Sequence, residues 1–308
     1  MITTVTLNPM LDKTVYVDRI QRGAVQRASR MEMVVGGKGV NVSRQLTQLG
    51  VKTTATGFIG GEVGTLIEWL LDSEGIGRDF VRVASMTREG VTYRESNGTV
   101  TAVFEPSQQI TSHEAEHLVE RVSLLMSRSE WIVCSGSSPS RETENTFSSI
   151  LKLATERSVK TVLDSYDRVC LNALQYRPTI IKMNKEEYER TFERRIAGTS
   201  DYLTAFEAFL SRGTTLCVIT DGPGVVYAAT NDKRWMVTPP AISSVNATGS
   251  GDSMVAGMLY AFTRGWDTER ALAFGVAAGS CNAQQWDVAN STLKDITQME
   301  TQVLLKTL

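Results

Sequence analysis

Residues 245–257 read VNATGSGDSMVAG and carry the strongest chemical signal in the chain. Gly249, Ser250 and Gly251 have little or no side chain, so their backbone N–H groups can approach a ligand, and they open a predicted helix whose N-terminus favours anions. Asp252 follows in the first helical turn, where the helix dipole helps to keep its carboxylate ionised as an acceptor for a hydroxyl proton. A site for a phosphate in transfer and an ordinary capped helix start both fit this pattern.

A second glycine cluster, VVGGKGVNVSRQLTQLG (34–50), precedes another predicted helix. Two glycines, Lys38 and a further glycine come first, and Asn41 and Arg44 fall in the first helical turns. Close backbone approach together with a cation suits a polar or phosphorylated ligand, although a tight turn with a solvated lysine has the same local pattern. The chain has no Walker A loop, and no G-x-G-x-x-G fingerprint opens a helix after the first strand, which disfavours a dinucleotide-binding dehydrogenase.

Two further segments fit a nucleotide. In KMNKEEYE (182–189), Asn184 and Glu187 follow an apolar strand, and their oxygens suit a hydrated Mg²⁺ beside phosphates. The same two residues also have the pattern of a helix start capped by Asn, with Glu three residues later. The segment ITDGPGVVY (219–227) predicts a strand, a glycine turn and a second strand, which fits either an edge against a nucleotide or a simple hairpin.

Composition and periodicity predict an α/β protein. The 308 residues are 42% hydrophobic and 21% charged, as in ordinary globular proteins. Short runs rich in Val, Ile and Thr alternate with longer stretches of helical periodicity, which is typical of βαβ units and a mainly parallel sheet. The clearest helical stretches are 39–49, 62–74 and 251–264, each followed by glycine.

Two segments, residues 13–35 and 90–105, break this alternation. Each has the period-two pattern of a hairpin, and the second turns at Asn97 and Gly98. Because they do not fit the crossover strands of a parallel sheet, they predict a small antiparallel flap. The chain has no low-complexity linker and no internal repeat, so we expect one domain over 1–308 with the flap inserted into it.

The charge balance limits the partners of the protein. A net charge of −2 and a pI near 5.9 provide no global attraction for nucleic acid or an anionic membrane, so neither is expected as a partner and phosphate binding must be local. The N-terminus has no signal-peptide pattern and no segment is long and apolar enough for a membrane span, which predicts a cytoplasmic protein. The four cysteines form no C-x-x-C pair and are expected to be buried reduced thiols.

Residues 113–117 read HEAEH and match the H-E-x-x-H pattern of zinc metalloproteases. Thr111 precedes them as a helix-capping residue, and Glu114 falls in the first turn, where a carboxylate meets the positive end of the helix dipole. His113 and His117 are the only histidines in the chain, so a third zinc ligand would have to be of another type. The segment is therefore predicted to be an ordinary helix start.

Taken together, these motifs resemble the ribokinase-like (PfkB) family of carbohydrate kinases over nearly the whole chain. The matching segments, in the order typical of the family, are TLNPMLDKTVYVD, GGKGVNVSRQLTQLG, TGFIGG, CSGSSP, VLDS, KMNKEE, ITDGPG, ATGSGDSMVAG and FGVAAGS. The first of these and the Gly-Asp-Ser-Met-Val-Ala-Gly end most resemble the branch that phosphorylates sugar phosphates. The resemblance implies a three-layer α/β/α sandwich with a mainly parallel central sheet and a small flap, and it implies ATP and Mg²⁺ as cofactors.

The resemblance also implies roles for individual residues. Asp252 would accept the proton of the attacking sugar hydroxyl, and Gly249, Ser250 and Gly251 would form the anion hole for the transferred phosphate. The residues implied to bind the sugar or its phosphate all precede position 100. They are Asp12, Gly37, Lys38, Asn41, Arg44 and Arg88, of which Lys38, Arg44 and Arg88 would face the phosphate.

On the nucleotide side, the resemblance implies that Glu187 binds Mg²⁺ and that Asn184 helps to organise the phosphates. The residues implied to line the nucleotide are Thr220, Gly222, Gly224, Ala278 and Asn282, the last two in the region that covers adenine. The flap would close over the sugar and provide the contact of a homodimer.

Three residues differ from those usual in the family, namely Met183 for Pro, Ser138 for Leu and Ala247 for Thr, and two positions depart from the pattern of this branch. After Thr87 and Arg88 its members usually have Asn and then a basic residue two positions later, where this chain has Gly90 and Thr92. The expected activity is ATP-dependent transfer of the γ-phosphate to a hydroxyl of fructose 1-phosphate, fructose 6-phosphate or tagatose 6-phosphate. The alternatives are a kinase for an unphosphorylated sugar or nucleoside, and a non-catalytic sugar-phosphate sensor.

Overall fold

Strands and helices alternate through most of the chain, as the sequence pattern predicts. The computed structural model describes all 308 residues. The strands are β1 (Ile2–Thr6), β2 (Met10–Val17), β3 (Arg30–Gly36), β4 (Thr53–Ile59), β5 (Gly77–Arg78), β6 (Val81–Arg82), β7 (Glu89–Glu95), β8 (Val100–Phe104), β9 (Trp131–Ser135), β10 (Lys160–Asp164), β11 (Ile180–Asn184), β12 (Leu216–Thr220), β13 (Val226–Ala229), β14 (Arg234–Thr238) and β15 (Leu304–Thr307). The helices are α1 (Lys38–Gln48), α2 (Gly61–Ser73), α3 (Ser112–Met126), α4 (Thr146–Glu156), α5 (Asp167–Leu174), α6 (Lys185–Phe192), α7 (Thr199–Leu210), α8 (Ser250–Thr263), α9 (Thr268–Ala283) and α10 (Leu293–Glu300).

The central sheet has eleven strands. Ten of them follow the order β15-β14-β13-β12-β11-β10-β9-β1-β4-β5, and β6 also pairs with β4. All pairs between β5 and β12 are parallel, whereas β13, β14 and β15 add an antiparallel edge. The prediction of a mainly parallel sheet is confirmed, and the carboxyl ends of its parallel strands lie along one edge, where α/β proteins bind their ligands.

Helices cover both faces of this sheet because successive side chains of a strand point to opposite faces. In β9, Ile132 and Cys134 belong to a core packed against α3 to α7, and Trp131 and Val133 belong to a core packed against α1, α8, α9 and α10. Both faces of the strand are therefore buried, which explains why it reads as a continuous apolar run rather than an alternating one. The result is the predicted three-layer sandwich.

The predicted flap is a separate four-stranded sheet in the order β3-β2-β7-β8. Each of its two hairpins is antiparallel, and the hairpins join side by side through the parallel pair β2–β7. The first hairpin begins at Met10, earlier than predicted, and residues 18–29 form its long connection instead of continuing the strands. Leu11 and Val35 anchor the flap in a small core with α2.

The prediction of the three clearest helical stretches is confirmed, since they correspond to α1, α2 and α8. The HEAEH segment lies in the first two turns of α3, where Thr111 and Glu114 form a reciprocal capping box. No group of three His, Cys, Asp or Glu side chains is arranged to hold a metal ion. All four cysteines are free and buried, and no helix combines the length and hydrophobicity needed to cross a bilayer.

Candidate active site

One cleft of about 730 Å³ is lined by the segment before α8, the segment that follows α9 and the inner face of the flap. The flap contributes Met10, Asp12 and Phe104 to its lining, while Asn246 precedes α8 and Val288 follows α9. Of the residues that the sequence predicts for sugar binding, Asp12 and Arg44 line this cleft, and the predicted catalytic residues follow directly after the lining residue Thr248. The cleft is therefore the natural place to test them.

The start of α8 presents three unpaired backbone donors. Gly249 is the N-cap residue and has a left-handed φ of 77°, which glycine adopts without strain. The N–H of Ser250 donates to the carbonyl oxygen of Ala247 at 3.2 Å, whereas the N–H groups of Gly249, Gly251 and Asp252 have no acceptor. Such N–H groups at a helix start bind anions, reinforced by the helix dipole. The donors available to a phosphate are thus those of Gly249, Gly251 and Asp252 rather than that of Ser250.

The carboxylate of Asp252 lies beside these donors and is almost completely buried. Its Oδ2 accepts a hydrogen bond from Nδ2 of Asn41 at 2.8 Å. Burial raises the pKa of Asp252 to about 6, and the charge of Asp164 adds to this effect, while Lys38 and Lys182 oppose it. A carboxylate with this pKa is ionised at neutral pH and is still basic enough to take up a proton from a reacting group.

A buried cluster of four charged residues lies next to Asp252. The ammonium of Lys38 donates to Oδ1 of Asp164 at 2.8 Å and to Oε1 of Glu187 at 2.7 Å. The ammonium of Lys182 donates to Oδ2 of Asp164 at 3.1 Å. Burial alone would raise the pKa of Asp164, but the two ammonium groups hold it below its ordinary value. We call Lys38, Asp164, Lys182 and Glu187 the charge cluster.

Sequence reasoning missed Asp164 and Lys182 as site residues. They come together because β10 and β11 are parallel neighbours, with Leu163 paired to Ile181. The ammonium of Lys182 occupies the space that a side chain on Gly251 would fill, so it faces the start of α8. The signal available in the sequence is a charged residue within or at the end of two mainly apolar strands: Asp164 ends KTVLD, and Lys182 lies in the middle of IIKMN.

Asn184 and Glu187 form the helix cap that was one of their two predicted roles. Oδ1 of Asn184 accepts from the N–H of Glu187 at 2.8 Å, and Oε2 of Glu187 accepts from the N–H of Asn184 at 2.9 Å. The other oxygen of Glu187 reaches Lys38, so this residue caps α6 and belongs to the charge cluster at the same time. One carboxylate beside an ammonium does not supply enough protein ligands to bind Mg²⁺ alone. The carboxylate fits an Mg²⁺ ion that arrives with nucleotide phosphates and keeps several water ligands.

The predicted nucleotide side follows the same edge of the sheet. Thr220 ends β12 directly beside Asn184 at the end of β11. Gly222 and Gly224 form the turn from β12 into the antiparallel strand β13, so the predicted hairpin is present. These residues lie within one edge of parallel strand ends, as a nucleotide site of this fold requires.

Ala278 and Asn282, predicted for the adenine region, lie on α9. Ala278 is fully buried against α8. Nδ2 of Asn282 donates to the carbonyl oxygen of Thr248 at 2.8 Å, and its Oδ1 accepts from the N–H of Ala289 at 2.6 Å. In the structure these contacts tie α9 to the segment before α8, and an adenine contact stays a prediction for both residues.

On the sugar side, Asp12 projects from β2 into the cleft. Oγ1 of Thr92 donates to its Oδ1 at 3.1 Å, and burial raises the pKa of the Asp12 carboxyl. Thr92, one of the two departures from the pattern of the branch, therefore supports a residue that is predicted to bind sugar. Gly37 lies at the N-cap of α1, immediately before Lys38.

Arg44 donates to protein groups with most of its guanidinium. It forms an ion pair with Glu74 and donates to Oδ1 of Asn41 at 3.0 Å and to the carbonyl oxygen of Val35 at 2.9 Å. The bond to Asn41 orients that amide so that its Nδ2 faces Asp252. The structure thus gives Arg44 a positioning contact, and its contact with a substrate phosphate stays a prediction.

Arg88 keeps more of its donors free. One terminal nitrogen donates to the carbonyl oxygen of Asn8 at 3.3 Å, and Nε is buried without an acceptor. Burial lowers the pKa of Arg88, an effect that Tyr166 opposes. The ammonium of Lys38 lies 5.4 Å from the centroid of the same tyrosine ring. Two of the predicted phosphate-binding cations are therefore close to Tyr166.

Comparisons with known proteins agree with this geometry. The family model described as pfkB family carbohydrate kinase matches residues 5–295. The 1-phosphofructokinase of Borreliella burgdorferi is 31% identical over 304 residues, which cover 98% of this chain and 97% of that relative.

Among solved structures, phosphofructokinase-2 from Escherichia coli in complex with potassium has a TM-score of 0.91 at 25% identity, with 97% of this chain and 98% of that chain covered. The same enzyme is known in complex with fructose-6-phosphate and in a tetrameric inhibited form. Ribokinase from Arabidopsis thaliana, at 19% identity and a TM-score of 0.76, with 97% of this chain and 98% of that chain covered, shares the fold.

Proposed function

The chain belongs to the pfkB family of carbohydrate kinases, and we propose that it transfers the γ-phosphate of ATP to a hydroxyl of a sugar phosphate, with Asp252 as the base. One observation carries this proposal: a buried carboxylate whose pKa is about 6 lies beside free N–H donors at a helix start. Phosphoryl transfer needs positioning and charge neutralisation more than covalent catalysis. This arrangement offers both.

In the proposed reaction, Asp252 accepts the hydroxyl proton while the hydroxyl oxygen forms its bond to the γ-phosphorus and the bond to the departing ADP oxygen breaks. Asn41 holds Oδ2 of Asp252, which leaves Oδ1 for the hydroxyl. The free N–H groups of Gly251 and Asp252 donate to the transferred phosphoryl group, and the ammonium of Lys182 faces the same point. Preorganised donors of this kind lower the barrier because they need no rearrangement during the reaction.

The nucleotide is proposed to lie along the ends of β11 and β12, with Asn184, Thr220, Gly222 and Gly224 against it. Glu187 is the residue proposed to hold Mg²⁺, which neutralises phosphate charge when it is bound. The charge cluster supplies two ammonium groups beside the same phosphates. The overall net charge of −2 does not prevent phosphate binding, because these positive charges lie at the site itself.

A phosphorylated ketose is the proposed acceptor. One terminal nitrogen of Arg88 donates to the carbonyl oxygen of Asn8, but its buried Nε has no acceptor, so part of the guanidinium is left for a ligand. A phosphate group matches such a fork of N–H donors in charge and geometry. Together with the relatives named 1-phosphofructokinase and phosphofructokinase-2, this favours fructose 1-phosphate, fructose 6-phosphate or tagatose 6-phosphate over an unphosphorylated sugar.

The test is ADP release by the pure protein from Mg-ATP in the presence of these three ketose phosphates, fructose, ribose or adenosine. We expect turnover on at least one ketose phosphate and little on the unphosphorylated compounds. Turnover only on an unphosphorylated compound would contradict the proposed substrate class, and binding of a ketose phosphate without any turnover would favour a sensor.

We also propose a homodimer formed through the outer face of the flap, the face that carries Met31 and Val103 away from the cleft. Both side chains are more than half exposed, and β3 and β8 are the unpaired edges of the sheet. Exposed apolar faces and open strand edges are typical of surfaces that another chain covers. A second copy is the proposed occupant, since closed dimers are the commonest assembly.

Light scattering on wild type, Met31→Asp and Leu124→Asp tests this dimer. Leu124 is the matched control, because it is an exposed apolar residue on α3, outside the flap. We expect a dimeric mass for wild type and Leu124→Asp and a monomeric mass for Met31→Asp at micromolar concentration. A monomeric wild type, or a Met31→Asp protein that stays dimeric, would contradict the proposal.

A further inference from the structure

One cross-strand row of the flap lies against the cleft. The strand register pairs Phe104 with Gly90, Gly90 with Asp12, and Asp12 with Val34. Paired residues of neighbouring strands project from the same face of a sheet, so the row crosses all four strands of the flap on one face. Asp12, Val34 and Phe104 all line the cleft, which identifies this face as the inner one.

Gly90 makes room for the ring of Phe104. A Cβ at position 90 would lie 2.5 Å from Cδ1 and 2.9 Å from Cε1 of Phe104, and 3.2 Å from Cε of Met10. The ring therefore covers the backbone of Gly90, the residue of the row that lies between Phe104 and Asp12. Phe104 nevertheless keeps 52% of its surface exposed, so the ring remains available to a molecule in the cleft.

The row thus places one apolar surface beside one hydrogen-bond acceptor. Asp12 is its only charged residue, and Thr92 in the next row holds the carboxylate through Oδ1. A sugar presents hydroxyl groups along its edge and C–H groups on its face. The edge suits a carboxylate that accepts several hydrogen bonds, and the face suits an aromatic ring, which offers a large apolar area at low entropic cost.

We propose that Phe104 is a specificity-determining residue whose ring packs against the C–H face of the bound sugar while Asp12, positioned by Thr92, accepts its hydroxyl groups. The inference rests on the proposed function and adds the part of the substrate that the flap contacts. Since this row contains no cation, it contacts the carbon skeleton rather than the phosphate. The phosphate is then left to Arg88 and Lys38.

Steady-state kinetics of Phe104→Ala and Val103→Ala test this inference, with the ketose phosphate that wild type turns over fastest. Val103 is the matched control, because it precedes Phe104 in β8, projects from the outer face and is 63% exposed. Since Val103 lies on the proposed dimer face, light scattering must show that Val103→Ala keeps the mass of wild type. We expect the KM for the sugar phosphate to rise by roughly three- to tenfold in Phe104→Ala. The KM for ATP and kcat should stay within about twofold, and Phe104→Tyr should restore the sugar KM.

A double-mutant cycle with Gly90→Ala gives a second readout. In wild type a Cβ at position 90 displaces the ring, so Gly90→Ala should raise the sugar KM about as much as Phe104→Ala does. In the Phe104→Ala background the same change should have little further effect, because the clashing ring is gone. Independent, additive effects of the two changes would overturn the inference.

The outcomes separate the inference from the proposed function. An unchanged sugar KM in Phe104→Ala, with wild type active, would overturn the role of the ring alone. If wild type neither turns over nor binds any of the three ketose phosphates by calorimetry, the proposed function and the inference are both wrong. Equal shifts in Val103→Ala and Phe104→Ala would assign the effect to strand β8 in general and would also overturn the inference.

Discussion

The charge cluster and the flap are proposed to contact the same substrate from opposite sides, and they differ in almost every physical respect. In the cluster, each charged group has a partner of opposite sign at 3.1 Å or closer, and Asp164 has no exposed surface. In the flap, β8 is exposed along its whole length and the two outer strand edges are unpaired.

This difference indicates which part of the protein tolerates side-chain substitutions. Buried charges strengthen one another at low dielectric, and the loss of one partner leaves an unpaired charge, so the cluster tolerates few substitutions. A half-exposed sheet can exchange side chains at small cost. The two departures that are expected to remove substrate contacts, Gly90 and Thr92, both lie in β7 of the flap, whereas Ser138, Met183 and Ala247 lie outside it. We therefore assign the transfer chemistry to the cluster region and the choice of sugar to the flap.

The largest expected effect comes from Asp252→Asn. The amide cannot accept the hydroxyl proton, so kcat should fall by about 10³, within the usual range for a positioned base. Binding of ATP and of the sugar phosphate, measured by calorimetry, should persist because Asn41 can still donate to the remaining oxygen. An Asp252→Asn protein with the kcat of wild type would contradict the assignment of the transfer chemistry to the cluster region.

The same substitution is expected to stabilise the fold above neutral pH. Burial raises the pKa of Asp252 from its ordinary 3.8 to about 6, so between these values the folded protein binds a proton that the unfolded chain does not bind. Stability therefore falls as pH rises through this window. Asp252→Asn should melt at a higher Tm than wild type at pH 8, and the difference should shrink towards pH 4. A lower Tm at pH 8 would contradict this account of the site.

The second largest effect should be on stability, in Asp164→Asn. This change leaves the buried ammonium of Lys182 without its carboxylate, while Lys38 keeps Glu187, and breaking a buried ion pair in this way costs about 3–5 kcal/mol. Asp167→Asn is the control, because Asp167 pairs with Arg190 at a half-exposed position and should cost less than about 1 kcal/mol. Urea unfolding measures both. Equal losses in the free energy of unfolding would contradict the proposed difference between buried and exposed ion pairs.

Lys182→Met should reduce kcat by about 10², the scale of a lost electrostatic donor, without a comparable change in the KM for the sugar phosphate. Lys182 also lowers the pKa of Asp252, so its removal should raise that pKa and move the acidic limb of the kcat/KM profile to higher pH. A purely structural lysine would not move this limb. Lys160→Met, at a surface pair with Glu130, serves as the control and should leave both the rate and the limb unchanged.

The sequence predicts the fold well because the fold depends on local patterns. Apolar strand runs, helical periodicity and terminal glycines identify α1, α2 and α8 and the mainly parallel sheet. The same local patterns do not identify Asp164 and Lys182 as site residues. Each is a charged residue in a mainly apolar strand, and only the register of β10 against β11 reveals that they share a bond. The inward direction of Phe104 likewise depends on strand pairing, which the alternation within one hairpin does not fix.

For Asn184 and Glu187 the sequence left a cap and a phosphate site as alternatives. The structure contains the cap and also places the free oxygen of Glu187 in the charge cluster. A helix cap fixes the side chain that forms it, so the two roles support each other. A local pattern could not show this, because Lys38 lies far away in the chain.

The smallest of these effects, and the one that most sharpens the comparison, is expected from Arg88→Ala. Loss of a charged hydrogen-bond donor costs about 1.5–3 kcal/mol, so the KM for the sugar phosphate should rise at least tenfold, with the KM for ATP unchanged. Arg82→Ala is the control, since Arg82 pairs with Glu68 on the surface of α2. Inhibition by the corresponding unphosphorylated sugar should weaken in Phe104→Ala but not in Arg88→Ala. If both variants weaken that inhibition equally, Arg88 contacts the carbon skeleton as well, and the phosphate must be held by Lys38 and its neighbours in the charge cluster.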